Sequence, residues 1–169
     1  MQHNHEAKRL IQAIKHYLNT HDIEFICDDN NRFFYGYREE ENNYASTGCL
    51  YCPSDSVINC FAFFDWEIPA DRLAAVAEFL LRVNNCLRHG SFQLNYDNNR
   101  VQVFTYWHKD HDSEEIPGDD VLSNMVIYSN VIMNQFLPEL MEVLEGHLTP
   151  KLAIKANIER LRIQNSLSN

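Results

Sequence analysis

Glycine is scarce in this chain, with five among 169 residues. None builds a G-x-S-x-G elbow, a phosphate-cradling loop or a dinucleotide fingerprint, so the sequence carries none of those signatures of acyl transfer, nucleotide or dinucleotide chemistry. Positive charge is also short: 14 basic against 24 acidic residues leave a net charge of -10. A polyanion would be repelled at long range, so neither nucleic acid nor an anionic membrane is an expected partner. Long apolar runs are missing too. No window nears the ~18 uninterrupted apolar residues of a membrane helix, and a water-soluble protein is expected.

Linkers, repeats and low-complexity tracts are likewise absent, which makes residues 1–169 a single expected domain. A chain of this length hides roughly 70% of its unfolded surface on folding, enough for a sizeable core. The start, Met1 to Arg9, lacks the basic, apolar and small-residue segments of a secretory signal, so a cytoplasmic location is expected. Its five cysteines, Cys27, Cys49, Cys52, Cys60 and Cys86, are then expected as free thiols; an odd number fits a closed disulfide framework poorly.

What is present is clear periodicity. Leu10, Ile11, Ile14, Tyr17 and Leu18 fall at helical spacing within Glu6 to Thr20. The period then changes to two. Ile23, Phe25 and Cys27 alternate before an Asp28–Asn31 turn, and Phe33, Tyr35 and Tyr37 resume the pattern as a hairpin. After a charged turn from Glu39 to Asn43, strands are predicted over Tyr44–Cys52 and Val57–Trp66, the second apolar on both faces and so central in its sheet. Ser91–Tyr96 and Arg100–His108 form a second hairpin around Asp97–Asn99. A long helix follows from about Val121 to Glu145, with Asp119 or Asp120 as N-cap, Gly146 as stop and a kink at Pro138. Thr149-Pro150 opens a last helix. The order of elements predicts an α+β fold in two layers, an antiparallel sheet packed with helices.

The helix predicted over Asp71–Arg88 stands out. Leu73, Val76, Phe79, Leu80, Leu81, Val83 and Leu87 spread over more than half of its circumference, too wide for a helix lying on one sheet. Either other helices of the chain cover the excess or a partner does, most simply a second copy in a homodimer. Phe79, Leu81 and Val83 are the candidate partner surface.

Candidate chemistry is thin. Cys49-Leu-Tyr-Cys52 is a C-x-x-C on a predicted strand with no second pair, so packed inert thiols are expected over a metal or redox site. The loop from His108 to Glu115, with His111, gathers imidazoles and carboxylates that could hold a divalent ion, but its spacing matches no defined site. Phe33, Phe34, Tyr35 and Tyr37 could offer a base-stacking platform, though only Arg32 and Arg38 flank them amid Asp28, Asp29, Glu39, Glu40 and Glu41. Ser123 and Ser129 have no histidine at a suggestive spacing. No catalytic set emerges and no cofactor is expected.

Ile68-Pro69, the run Val76 to Asn84, Gly90-Ser-Phe-Gln-Leu94, Val101-Gln-Val103, Phe136-Leu-Pro138 and Gly146 together resemble the YbjN family of bacterial sensory-transduction regulators. The resemblance covers about half of the chain through packing motifs, and the family is similar in architecture to type III secretion chaperones. It implies a secretion-chaperone-like α+β fold and a non-enzymatic, protein-binding role as regulator or adaptor. An extra strand in the first half and the helix after Thr149 depart from the plainer chaperone pattern, which ranks a regulator above a dedicated effector chaperone. A metal- or small-molecule-binding protein using His108 and its neighbours is the alternative of a different class.

Overall fold

The computed structural model describes residues 3–39, 44–110 and 115–167. Its elements run α1 (His3–Thr20), β1 (Phe25–Cys27), β2 (Arg32–Glu39), β3 (Tyr44–Ser54), β4 (Val57–Phe63), α2 (Leu73–Asn84), β5 (Ser91–Asn95), β6 (Arg100–His108), α3 (Asp119–Glu145) and α4 (Pro150–Leu167). The strands form one six-stranded sheet in the order β1-β2-β3-β4-β6-β5, every neighbouring pair antiparallel. The α+β architecture and the central place of β4 are as predicted.

Alternation decides which side of the sheet each residue serves. Phe33, Leu50, Cys60 and Thr105 share one row across the strands, and Tyr35, Gly48, Ala62, Val103 and Phe92 share the next. These rows face the helices. α1 and the first half of α3 close a core around Ile14, Leu18, Phe33, Leu50 and Leu122. α2, the second half of α3 and α4 close another around Phe64, Phe79, Val83, Met133 and Leu140. In the first core the Tyr35 ring lies across Gly48, where any Cβ would sit only 2.2 Å from it. Glycine therefore lets the ring pack flat on the strand.

Between the two apolar clusters runs a buried polar seam. The Tyr35 hydroxyl lies 3.6 Å from the Cys60 thiol, the Ser129 hydroxyl lies 3.0 Å from that of Thr105 and donates to the Met125 carbonyl at 2.7 Å, and Ser46 donates to the Asn130 carboxamide oxygen at 2.6 Å. Ser129 and Asn130 sit at the middle of α3, between Val126 and Ile132 of the two clusters.

α2 is shorter than predicted. It starts at Leu73 after a turn in which the Arg72 amide donates to Pro69, and it stops at Asn84 rather than running to Arg88. The cause is a long-range contact: the Asn84 carboxamide accepts from the Phe92 amide at 2.7 Å and donates to the Phe92 carbonyl at 2.9 Å, as a neighbouring strand would. α3 begins two residues early, capped by Gly118, and continues through Pro138 to a left-handed Gly146. Asp119 and Asp120 lie in its first turn, where carboxylates complement the helix dipole. Thr149 caps α4 as expected, its hydroxyl accepting from the Leu152 amide.

α4 lies against α2 and α3. Its buried Ala153 and half-buried Ile154 supply part of the cover that the wide apolar surface of α2 demands. The joint is also polar. Glu139, buried on α3, accepts from Asn157 Nδ2 at 2.8 Å and from Arg160 Nε at 2.8 Å, while Asn157 donates to the Gln135 carbonyl.

Candidate functional site

No helix packs on the second side of the sheet among the described residues. Ile26, Phe34, Cys49, Phe61, Phe104 and Ser91 form a single row across all the strands on that side. Tyr51 and Tyr106 flank the row on one side and Phe63 on the other. An antiparallel sheet commonly turns polar residues to solvent on its open face. Here that face carries aromatic rings in mutual contact. Phe61 is 5.0 Å from Phe104, 5.8 Å from Phe63 and 6.1 Å from Tyr51 between ring centres, and Phe104 lies 5.9 Å from Tyr106. The rings cover one another and so remain only half-buried, while Tyr106 is 62% exposed and Ile26 76%.

Polar side chains frame the rings: Asn59, Gln93 and Gln102 interleave with them, and Gln102 donates to Gln93 at 2.8 Å. Arg32 lies over the Phe34 ring, 5.7 Å from its centre. Its guanidinium is already held by Asp28, with Nε and Nη2 each 2.6 Å from Oδ2. Hydrogen bonds from the Arg32 amide and guanidinium hold Asp28 below the usual carboxylate range. This cation beside the platform is therefore neutralised locally. A groove of about 560 Å³ runs over this face between Arg32, Tyr51, Phe61 and Gln102.

The C-x-x-C cysteines adjoin the same groove. Burial pushes both Cys49 and Cys52 up to about 12, so each is a protonated thiol at neutral pH and a poor nucleophile or metal ligand. Cys60 is buried within the polar seam and its thiol is likewise raised by burial. All five cysteines are free.

The residues singled out on α2 separate. Phe79 and Val83 are wholly buried in the chain's own core and have no surface to present, which corrects their expected place on a partner surface. The helical wheel fixed their angle but not the position of α4. Leu81 alone is at the surface, 67% exposed, in a stripe with Ala74 and Glu78. The candidate stacking set divides as well: Phe33 and Tyr35 face the helices and Phe34 the open side, while the side chain of Tyr37 is outside those described.

The candidate metal loop is only partly visible. His108 is exposed at the end of β6 and Glu115 is exposed ahead of α3, whereas His111 and its neighbours through residue 114 lie outside the described residues, as does the charged turn at residues 40–43. Among the described residues a different group comes together, Glu142, Glu145 and His147 at the end of α3, with His147 Nδ1 3.4 and 3.2 Å from the two carboxylates. It is a surface cluster on a helix end.

The open aromatic face escaped the sequence reading, although a signal existed. Phe61 and Phe63, and Phe104 and Tyr106, repeat at the strand period opposite the Ile, Ala and Val positions of the core.

No protein-family model matches the chain, and no curated protein matches it. Among solved structures it is similar to the crystal structure of YbjN from E. coli, described there as a candidate transcription regulator, with a TM-score of 0.51 and 12% identity over 81% of this chain and 90% of that one. A likeness at that identity is one of fold, and it agrees with the YbjN-like architecture implied by the packing motifs. No helix among the described residues is long and apolar enough to cross a membrane.

Proposed function

We propose that this chain is a non-enzymatic regulator or adaptor that works by binding another protein, and that the open aromatic face of its sheet is the docking surface. The observation that carries this reading is the row of rings from Phe34 through Phe61 to Phe104, flanked by Tyr51 and Tyr106 and, among the described residues, left without a covering layer. Large apolar patches rimmed by polar side chains mark interaction sites, and aromatic residues dominate the energetics of such sites. Nucleic acid would also stack on rings. The net charge of -10 and the pairing of Arg32 with Asp28 favour protein instead.

A regulatory role accords with the description of the structurally similar YbjN as a candidate transcription regulator; in this chain the charge favours regulation exerted through a protein. The raised pKa values of Cys49 and Cys52 support the non-enzymatic half of the reading, since neither thiol is activated.

The test compares the wild type with a Phe61→Ser/Phe104→Ser variant whose circular dichroism shows the fold retained. Cross-linked complexes from the source cell's lysate are identified by mass spectrometry, and light scattering gives the oligomeric state. A partner, or a homodimer, that loses about tenfold or more in affinity in the variant supports the reading. A protein that is monomeric at high concentration and retains the same partners in the variant would sink it.

A further inference from the structure

The two outer borders of the sheet are treated differently at its β5 end. In the β5–β6 pair the residues facing each other run Ser91 to Phe104 and Phe92 to Val103. The amide and carbonyl of Phe92 point away from β6, and Asn84 occupies both. That stretch of edge is closed. β6 continues past the start of β5, however, through Thr105 to His108. There the Val101 carbonyl and the Lys109 amide bond toward the β4 side, to Phe64 and Ser56. Odd-numbered residues of β6 thus serve β4, and the main-chain groups of Tyr106 and His108 face outward, where β5 does not reach. The chain leaves the ladder at Gly90, whose left-handed conformation (φ 69°) turns it aside.

Beside this open stretch stands an apolar wall. Ile127 and Val131 of α3 are 51% and 49% exposed, and Tyr128 lies between them, its hydroxyl donating to the His89 carbonyl at 3.2 Å. Wall, edge and the Arg88–Gly90 turn enclose a groove of about 880 Å³. Its lining among the described residues includes Arg88 and His89 and no carboxylate, on a chain whose net charge is -10.

We infer that this groove takes an extended segment of a partner protein as an added strand, paired with the Tyr106 and His108 main chain, its alternate apolar side chains on Ile127 and Val131 and a carboxylate beside Arg88. Strand addition needs an unpaired edge, a pocket for every second side chain and a means of fixing direction. The edge, the wall and the basic end meet those needs in turn. The inference shares the reading of the chain as a protein binder; its groove adjoins the aromatic face at Tyr106 but does not use the rings of Phe34, Phe61 and Phe104.

The probe is a displayed library of nonapeptides alternating Val, Ile, Phe or Tyr with polar residues and ending in either Glu or Lys. The readout is amide hydrogen exchange along β6. Selected peptides are expected to slow exchange at Tyr106 and His108, to bind about fivefold more tightly with Glu than with Lys at the Arg88 end, and to fail when their alternate amides are N-methylated. Ile127→Glu and Val131→Glu should abolish binding, whereas Phe61→Ser/Phe104→Ser should leave it intact, so this site and the aromatic face succeed or fail separately. The inference is overturned if no library member protects these two amides, if N-methylated peptides protect them equally, or if protection arises without peptide as protein concentration rises, which would give the edge to a second copy.

Discussion

Phe79 and Leu81 stand two positions apart on α2 in opposite surroundings, the first at 0% exposure and the second mostly in solvent. Phe79→Asp would bury an unpaired charge and should cost several kcal/mol, enough to unfold the protein. Leu81→Asp should change stability by no more than about 0.5 kcal/mol. Urea melts of the two variants measure both, and equal midpoints would contradict the placement of Phe79. At this scale the sequence was informative wherever the partner was local: Thr149 announced a cap and Gly146 a stop. Where the partner lay elsewhere it was silent. Nothing in the run from Asn84 to Arg88 marks Asn84 as the end of a helix, because the Phe92 main chain that stops it belongs to the next strand.

Among the elements, α4 docks partly through one buried carboxylate. Burial opposes the ionisation of Glu139, but hydrogen bonds from Arg160 and Asn157 outweigh it and hold the group below its ordinary value of 4.5. A folded-state pKa below the unfolded one contributes stability that is complete above the unfolded value and is lost as pH falls through the folded value. Docking of α4 should therefore weaken on acidification below about pH 4.5, seen as faster amide exchange at Ala153 and Asn157 while β4 stays protected. Glu139→Gln should lower stability by about 2 kcal/mol at pH 7 and remove that acid sensitivity. Exchange in α4 that ignores pH in the wild type would contradict this account. The helix itself was legible from Thr149-Pro150. Its berth was not, since Glu139 lies on α3 while its partners Asn157 and Arg160 lie on α4, and no periodicity links one helix to the other.

On the scale of the whole molecule, the α+β class and the two hairpins followed from the alternation of Phe33 and Tyr35, and of Val101, Val103 and Thr105. The two-layer order left one side of the sheet without helices, but that this side would carry rings did not follow. The strand predicted over Val57–Trp66 is apolar on both faces, and among the described residues helices lie on one side while the rings of Phe61 and Phe63 face the other. Hydrophobicity reports that a face is apolar, not that the chain itself covers it.

The polar seam through Tyr35, Cys60, Thr105 and Ser129 has a consequence for how uniquely α3 is seated. Apolar side chains precede and follow Ser129 and Asn130 along this 27-residue helix. A slide by one turn, about 5.4 Å, would still bury hydrophobic surface, but it would set Met125 or Met133 against the hydroxyls. The orphaned Ser46 and Thr105 would then oppose the shift by about 1–3 kcal/mol each. Replacing the seam with apolar residues, Thr105→Val with Ser129→Ala and Ser46→Ala with Asn130→Leu, should preserve or raise the melting temperature while the amide spectrum of α3 doubles. A single unshifted set of resonances would show that packing alone seats the helix. The hydroxyls thus act less as glue than as a vernier, giving one axial position to a helix that hydrophobicity alone would leave free to choose among several.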